Sequence, residues 1–163
     1  MAGDKGGTMA QRVAASIDAW VEDVVGRTFT SGWLTVDQPM IDQFADATRD
    51  WNFLHVDGAA AREAGMERTI AHGFLTLSLL SPLRMEAGLV TCPGLKMSMN
   101  YGLDRVRFLS PVYQGDRIRA HFITRAIEEV RPGQYRESLD ASVEIEGQEK
   151  PALVATWIAL YVT

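Results

Sequence analysis

Cysteine is nearly absent from this chain: Cys92 is the single one. One thiol can form no internal disulfide and cannot supply a cysteine-based zinc site. Histidine is scarce too. His55, His72 and His121 make up the full set, and they share no short metal-ligand spacing, although a site of three histidines assembled in space stays open. Positive charge is in deficit, with 16 Lys and Arg against 21 Asp and Glu and a net charge of −5. That balance counts against general nucleic-acid binding while leaving room for a local basic patch. The longest apolar runs, near residues 73 to 83 and 152 to 162, fall short of the roughly 18 residues of a membrane span. The first ten residues, MAGDKGGTMA, lack the apolar stretch of a secretory signal. There is no G-x-S-x-G elbow, no phosphate-binding P-loop and no dinucleotide fingerprint. The expectation is a soluble, cytoplasmic protein with neither membrane nor nucleic acid as a partner.

What is present suits one globular domain: 163 residues, 47% hydrophobic and 23% charged. Residues 1 to 8 are Gly-rich and are expected to be flexible; residues 9 to 163 form the domain, with no internal repeat. Apolar residues at Met9, Val13, Ile17, Trp20, Val21 and Val24 predict a helix. A short strand is expected over Arg27 to Leu34. Asp37 and Pro39 open a second helix with Met40, Ile41, Phe44 and Ala45 on one face, ending near Thr48. Asp57 caps a small helix over 59 to 64 that Gly65 stops. In residues 71 to 88, Phe74, Leu75, Leu77, Leu79, Leu80, Leu83 and Met85 surround a helix axis almost completely, which predicts a helix buried on most sides.

The period then changes to two. Leu95, Met97, Met99 and Tyr101 alternate with polar residues, as do Val106 and Phe108, Ile118 to Phe122, and Leu139 to Ile145. Ala152 to Val162 is apolar on both faces and reads as a central strand. Turn signals separate the runs. The class is α+β: about five long antiparallel strands curved round one buried helix.

Several residues carry chemistry in their spacing. Asp50 and His55 flank Trp51, Asn52, Phe53 and Leu54 in "RDWNFLHVD". A loop can present a general base and a general acid on one side, and apolar neighbours would exclude water and push Asp50 towards its neutral form. The bland reading has both residues solvated at helix ends, and residue types alone favour it. His72-Gly73 opens the buried helix, whose first N–H groups have no internal partner. Gly73 would let a ligand carbonyl approach the backbone, as in an oxyanion hole; the plain alternative makes His72 a cap. Ser81-Pro82 marks a kink, with Ser81 either facing a site or bonded back to the helix. Arg105, Arg107, Arg117 and Arg119 are expected on adjacent strands, as an anion site or, on balance, a solvated face. Cys92 has no visible feature that would lower its pKa and reads as structural.

At these residues the chain resembles the MaoC-like dehydratases, which include the (R)-specific enoyl-CoA hydratases, and above all the nodulation-protein-N-like branch. The resemblance lies in "FADATRDWNFLHVD", in "TIAHGFLTLSLLSPL" and in "NYGLDRVRFLSPVYQGD", and it covers residues 27 to 163. It implies a hot-dog fold, an antiparallel sheet wrapped round a long central helix, and a homodimer with sheets joined edge to edge. It implies reversible hydration of a trans-2-enoyl-CoA to the (R)-3-hydroxyacyl-CoA. Asp50 and His55 fall on the catalytic positions, with Asp50 the likelier base and His55 orienting the water. Gly73 falls on the oxyanion position, with Asn52 and Ser81 supporting the substrate site. No metal or redox cofactor is implied; the CoA thioester is the substrate.

Two positions depart from the family pattern. Arg49 stands where Gly is usual, and pairing with Asp50 would weaken that residue as a base. Phe53 stands where Pro is frequent. A hot-dog acyl-CoA thioesterase is an alternative, weakened by the lack of Asp or Glu between Gly73 and Arg84. A non-catalytic acyl-CoA or polyketide-binding protein is another, sustained by Arg49.

Overall fold

The computed structural model describes residues 12–163. The expected flexible segment over 1 to 8, and Met9, lie outside them. Helix α1 (Ile17–Val24) starts later than the apolar spacing suggests, because the Ser16 hydroxyl accepts from the Ala19 N–H and caps it there. Upstream, Val13 bridges to Thr91, held by Ala14 N–H to the Thr91 carbonyl and Thr91 N–H to the Arg12 carbonyl. The single strand expected over 27 to 34 is two: β1 (Thr28–Thr30) and β2 (Leu34–Thr35). Between them the Ser31 hydroxyl takes the Ala120 N–H that a continuous ladder would have used.

Helix α2 (Gln38–Thr48) matches its signals. Asp37 accepts from the Met40 N–H at 3.0 Å, Pro39 lies in the first turn, and Ile41 and Ala45 are fully buried. A four-residue helix that the apolar pattern did not suggest, α3 (Phe53–Val56), follows under an Asn52 cap. Asp57 then caps α4 (Gly58–Glu63) through two amides, and Gly65 ends it in the left-handed region.

The central helix is α5 (Gly73–Ser78) and α6 (Leu80–Glu86), joined at Leu79. Pro82 explains the break, since it cannot donate to the Ser78 carbonyl. The helix expected to be buried on most sides has one exposed face. Phe74 is 68% and Met85 60% exposed, and Ser78 and Ser81 share that face. Leu75, Leu80 and Leu83 are buried against the sheet.

Four long strands follow rather than five: β3 (Met97–Phe108), β4 (Arg117–Arg131), β5 (Gln134–Ile145) and β6 (Leu153–Val162). The two runs read separately near 95 to 101 and 105 to 108 are one strand, β3, with irregularities between Asn100 and Gly102 and between Asp104 and Arg107. The order is β1-β4-β5-β6-β3, with β2 also on β4, and all pairs are antiparallel. Ile118, Ala120 and Phe122 of β4 and Leu139, Ala141 and Val143 of β5 form the inner face against α5 and α6. A smaller cluster round Trp20, Val90 and Cys92 closes one end. This is the hot-dog arrangement, one helix wrapped by one curved sheet.

Strand order corrects two expectations. β3 and β4 are separated by β5 and β6, so Arg105 and Arg107 do not join Arg117 and Arg119 in one patch. Arg117 pairs with Glu146, and Arg119 pairs with Glu144 and stacks on Trp33. As the last strand, β3 also leaves Met97, Met99, Tyr101, Leu103 and Phe108 exposed, where alternation predicted a buried side.

Candidate active site

Asp50, His55 and His72 come together at the start of the central helix. One donor atom from each lies within 4.8 Å of the others. His55 sits on α3, and three links from distant residues fix it there. Its carbonyl accepts from Gln38 Nε2 at 2.8 Å. Its ring Nδ1 lies 2.7 Å from the Ile70 carbonyl. The Ile70 N–H donates to the Leu54 carbonyl at 2.9 Å. Gln38 is itself held by the Thr69 hydroxyl, which donates to its Oε1.

These bonds define the imidazole chemically. A carbonyl can only accept, so Nδ1 carries the proton and Nε2 of the neutral ring carries the lone pair. Burial pushes the His55 pKa below its usual 6.5; the bond to Ile70 and the Asp50 charge act upward, and neighbouring His72 acts downward. His55 is thus held as a neutral ring with a free acceptor nitrogen.

His72 is the residue whose place the sequence did not suggest. It precedes α5 but makes no side-chain cap bond. Its buried ring stacks on His55 at 3.7 Å and tilts against Phe44 at 5.0 Å. Its Nε2 donates to the Asp50 carbonyl at 2.9 Å, tying the Asp50 loop to the helix start. Its Nδ1 is buried without a partner. The third histidine, His121, lies elsewhere, between Thr30 and Glu144, so the three histidines form no common site.

Asp50 is exposed, not enclosed by its aromatic neighbours. Trp51 is 55% and Phe53 45% exposed, and the Trp51 indole donates to Asp46 at 2.8 Å. Arg49 occupies the left-handed region at φ 61° as the end of α2. It enters no ion pair with Asp50 among the described residues. Asn52 caps α3, its Oδ1 accepting from the Leu54 N–H at 3.0 Å; what it does here is orient the helix that carries His55.

Gly73 follows His72 directly. A Cβ there would sit 3.1 Å from the Phe108 ring, so the absence of a side chain lets β3 close on the helix start. Ser81 lies eight residues on, about 12 Å along the helix. It is exposed and lines the groove between α6 and β3 rather than the Asp50–His55 site.

A second polar group escaped the sequence reading. Glu137 is fully buried on the inner face of β5. It accepts from Arg84 Nη2 at 2.7 Å, from Thr124 Oγ1 at 2.7 Å and from the Tyr161 hydroxyl. The signal existed: Glu137 has the parity of Leu139, Ala141 and Val143, all turned inward.

One curved antiparallel sheet wrapped round the central helix makes this a hot-dog protein. The chain belongs to the MaoC-like domain family, whose model matches residues 21–144. It is 45% identical over 142 residues to nodulation protein N of Rhizobium meliloti, covering 86% of this chain and 88% of that protein. It is 42% identical over 132 residues to 3-hydroxyacyl-thioester dehydratase Z of Mycobacterium tuberculosis, covering 81% and 86%. The structure matches the (R)-hydratase from Aeromonas caviae with a TM-score of 0.68 at 27% identity, over 83% of this chain and 94% of that one.

Proposed function

We propose that this chain is an enoyl-thioester hydratase that interconverts a trans-2-enoyl-CoA and the (R)-3-hydroxyacyl-CoA. The observation that carries the reading is the pairing of a neutral His55, its Nε2 lone pair free, with the Asp50 carboxylate beside the first amides of α5. Water has two hydrogens, and this pair has two acceptors to receive them. As the water oxygen bonds to C3, one O–H bond breaks and its proton passes to Asp50, with His55 holding the second hydrogen. C2 then gains one proton from the pair, so that one water is added and the pair is restored. Negative charge builds on the thioester oxygen during attack, and the Gly73 N–H is the donor assigned to it. Asn52 and Ser81 act at a remove, one by capping α3 and one along the acyl path. No metal takes part in this scheme. The similarity to dehydratase Z and to the (R)-hydratase supports the same reading.

The protein is proposed to work as a homodimer, because β3 ends the sheet with a free edge and exposed apolar side chains. No helix among the described residues is long and apolar enough to cross a membrane.

The test is loss of enoyl absorbance with crotonyl-CoA and longer enoyl-CoA substrates. Asp50→Asn and His55→Gln should each lower kcat by about 10²–10⁴-fold with unchanged circular dichroism. Full activity in both would overturn the site. Thiol release from saturated acyl-CoA would favour a thioesterase, and saturable acyl-CoA binding without turnover a binding protein.

A further inference from the structure

Away from Asp50 and His55, a cavity of about 360 Å³ lies farther along the central helix, between α6 and β3. A second cavity of about 250 Å³ adjoins it and shares Ser81, Asn100 and Trp157. Together they continue the exposed helix face that begins at Phe74. From Gly73 to Arg84 is eleven residues, about 16 Å of helix. A thioester with its carbonyl at Gly73 would lay its acyl chain along this groove towards Arg84.

The far end of that groove is polar. Arg84 lines it with Tyr161 and Trp157. The guanidinium makes both of its hydrogen bonds through Nη2, to Glu137 and to the Tyr161 hydroxyl at 2.8 Å. Its Nε is buried with no partner, and Nη1 makes no hydrogen bond among the described residues. Nη1, unlike Nε, is not enclosed, and it is the donor left open to a bound group in the cavity that Arg84 lines. A channel meant for plain alkyl chains needs no such donors.

Charge narrows the partner. Glu137 already neutralises Arg84, and its side chain is 1% exposed. Its negative field reaches the cavity wall, where burial first and Glu137 second push the Cys92 thiol up to about 11. A carboxylate on the acyl tail would meet no net positive charge and would face Glu137. An uncharged oxygen would meet the open Nη1 donor at no such cost.

We propose that Arg84 is a specificity-determining residue, binding an uncharged oxygen (a keto carbonyl or a hydroxyl) carried on the distal acyl chain. This inference rests on the hydratase reading for its catalytic assay but not for its binding assay.

The experiment uses the full chain and three CoA thioesters of equal chain length, differing at the far end: methyl, keto and carboxylate. Saturated versions are titrated by calorimetry and the 2-enoyl versions are assayed for hydration. Wild type should bind the keto tail at least tenfold more tightly than the methyl tail, with the carboxylate weakest. Arg84→Met combined with Glu137→Gln leaves no buried charge unpaired and should erase that preference. Arg84→Lys, which keeps the charge but loses the fork of donors, should reduce it severalfold. Circular dichroism matching that of wild type certifies the folding of these variants. Equal or tighter binding of the methyl tail by wild type, or a keto preference that survives the double variant, overturns the proposal. Hydration failing for every thioester while the keto preference in binding persists would refute the hydratase reading and leave Arg84 as assigned.

Discussion

The two ends of the central helix carry polar groups of opposite character. At the Gly73 end, Asp50 is exposed and His55 half-buried, with acceptor valences unused. At the Arg84 end, Glu137 has no exposure and three donors on its two oxygens. Proton transfer needs groups that can change partners, and the first set has room for that. The second set is held by its neighbours and suits recognition or support. The difference lies less in residue types than in which valences the fold leaves open, acceptors at the Gly73 end and an Arg84 donor at the other.

Four perturbations would break or sharpen that contrast. The largest should come from Glu137, whose acceptors are all engaged. Glu137→Leu leaves Arg84 without its counter-charge and should cost about 3–5 kcal/mol in urea unfolding, while per-molecule hydration of a short substrate persists. Next is the packing that closes the open end. Gly73→Ala places a methyl 3.1 Å from the half-exposed Phe108 ring, which must give by a few tenths of an ångström, and should cost about 1 kcal/mol, with Phe108→Leu restoring part of the loss.

A smaller effect is expected from pH. The His55 pKa is lowered in the folded state, so the unfolded chain binds its proton more readily. The stability tied to neutral His55 is therefore complete above about 6.5 and declines as pH falls below it through the folded value. Urea midpoints at pH 5 and pH 7.5 should converge in His55→Gln relative to wild type. Hydration should fall on the acid side only, as Nε2 is protonated. The smallest change is at Arg49, whose left-handed backbone penalises a side chain. Arg49→Gly should raise stability by less than about 1 kcal/mol and leave kcat alone, since Arg49 does not pair with Asp50.

Local chemistry was readable in the sequence; contacts between distant residues were not. Asp37 and Asp57 cap where their spacing says they should, and the alternation in β4 and β5 gives the buried face correctly, because both depend on residues a few positions apart. The meeting of His72 with Asp50 spans 22 residues, and no periodicity encodes it. Phe74 and Met85 looked buried because a helical wheel shows hydrophobicity but not which side has a neighbour. The arginines of β3 and β4 looked adjacent because chain order was taken for strand order. The Asp50–His55 pair was legible as a motif, while the proton position on His55 required the Ile70 carbonyl.

Helix α3 has one further consequence. Four residues form too few internal bonds to hold a helix in water, so its folded state is imposed by Gln38, Ile70 and the Asn52 cap. Gln38 belongs to the helix whose Ile41 and Ala45 are fully buried. The free energy of freeing His55 is therefore set by those anchors and not by α3 itself. In hydrogen exchange the amides of Leu54 and His55 should open together with that of Ile70, which donates to the Leu54 carbonyl.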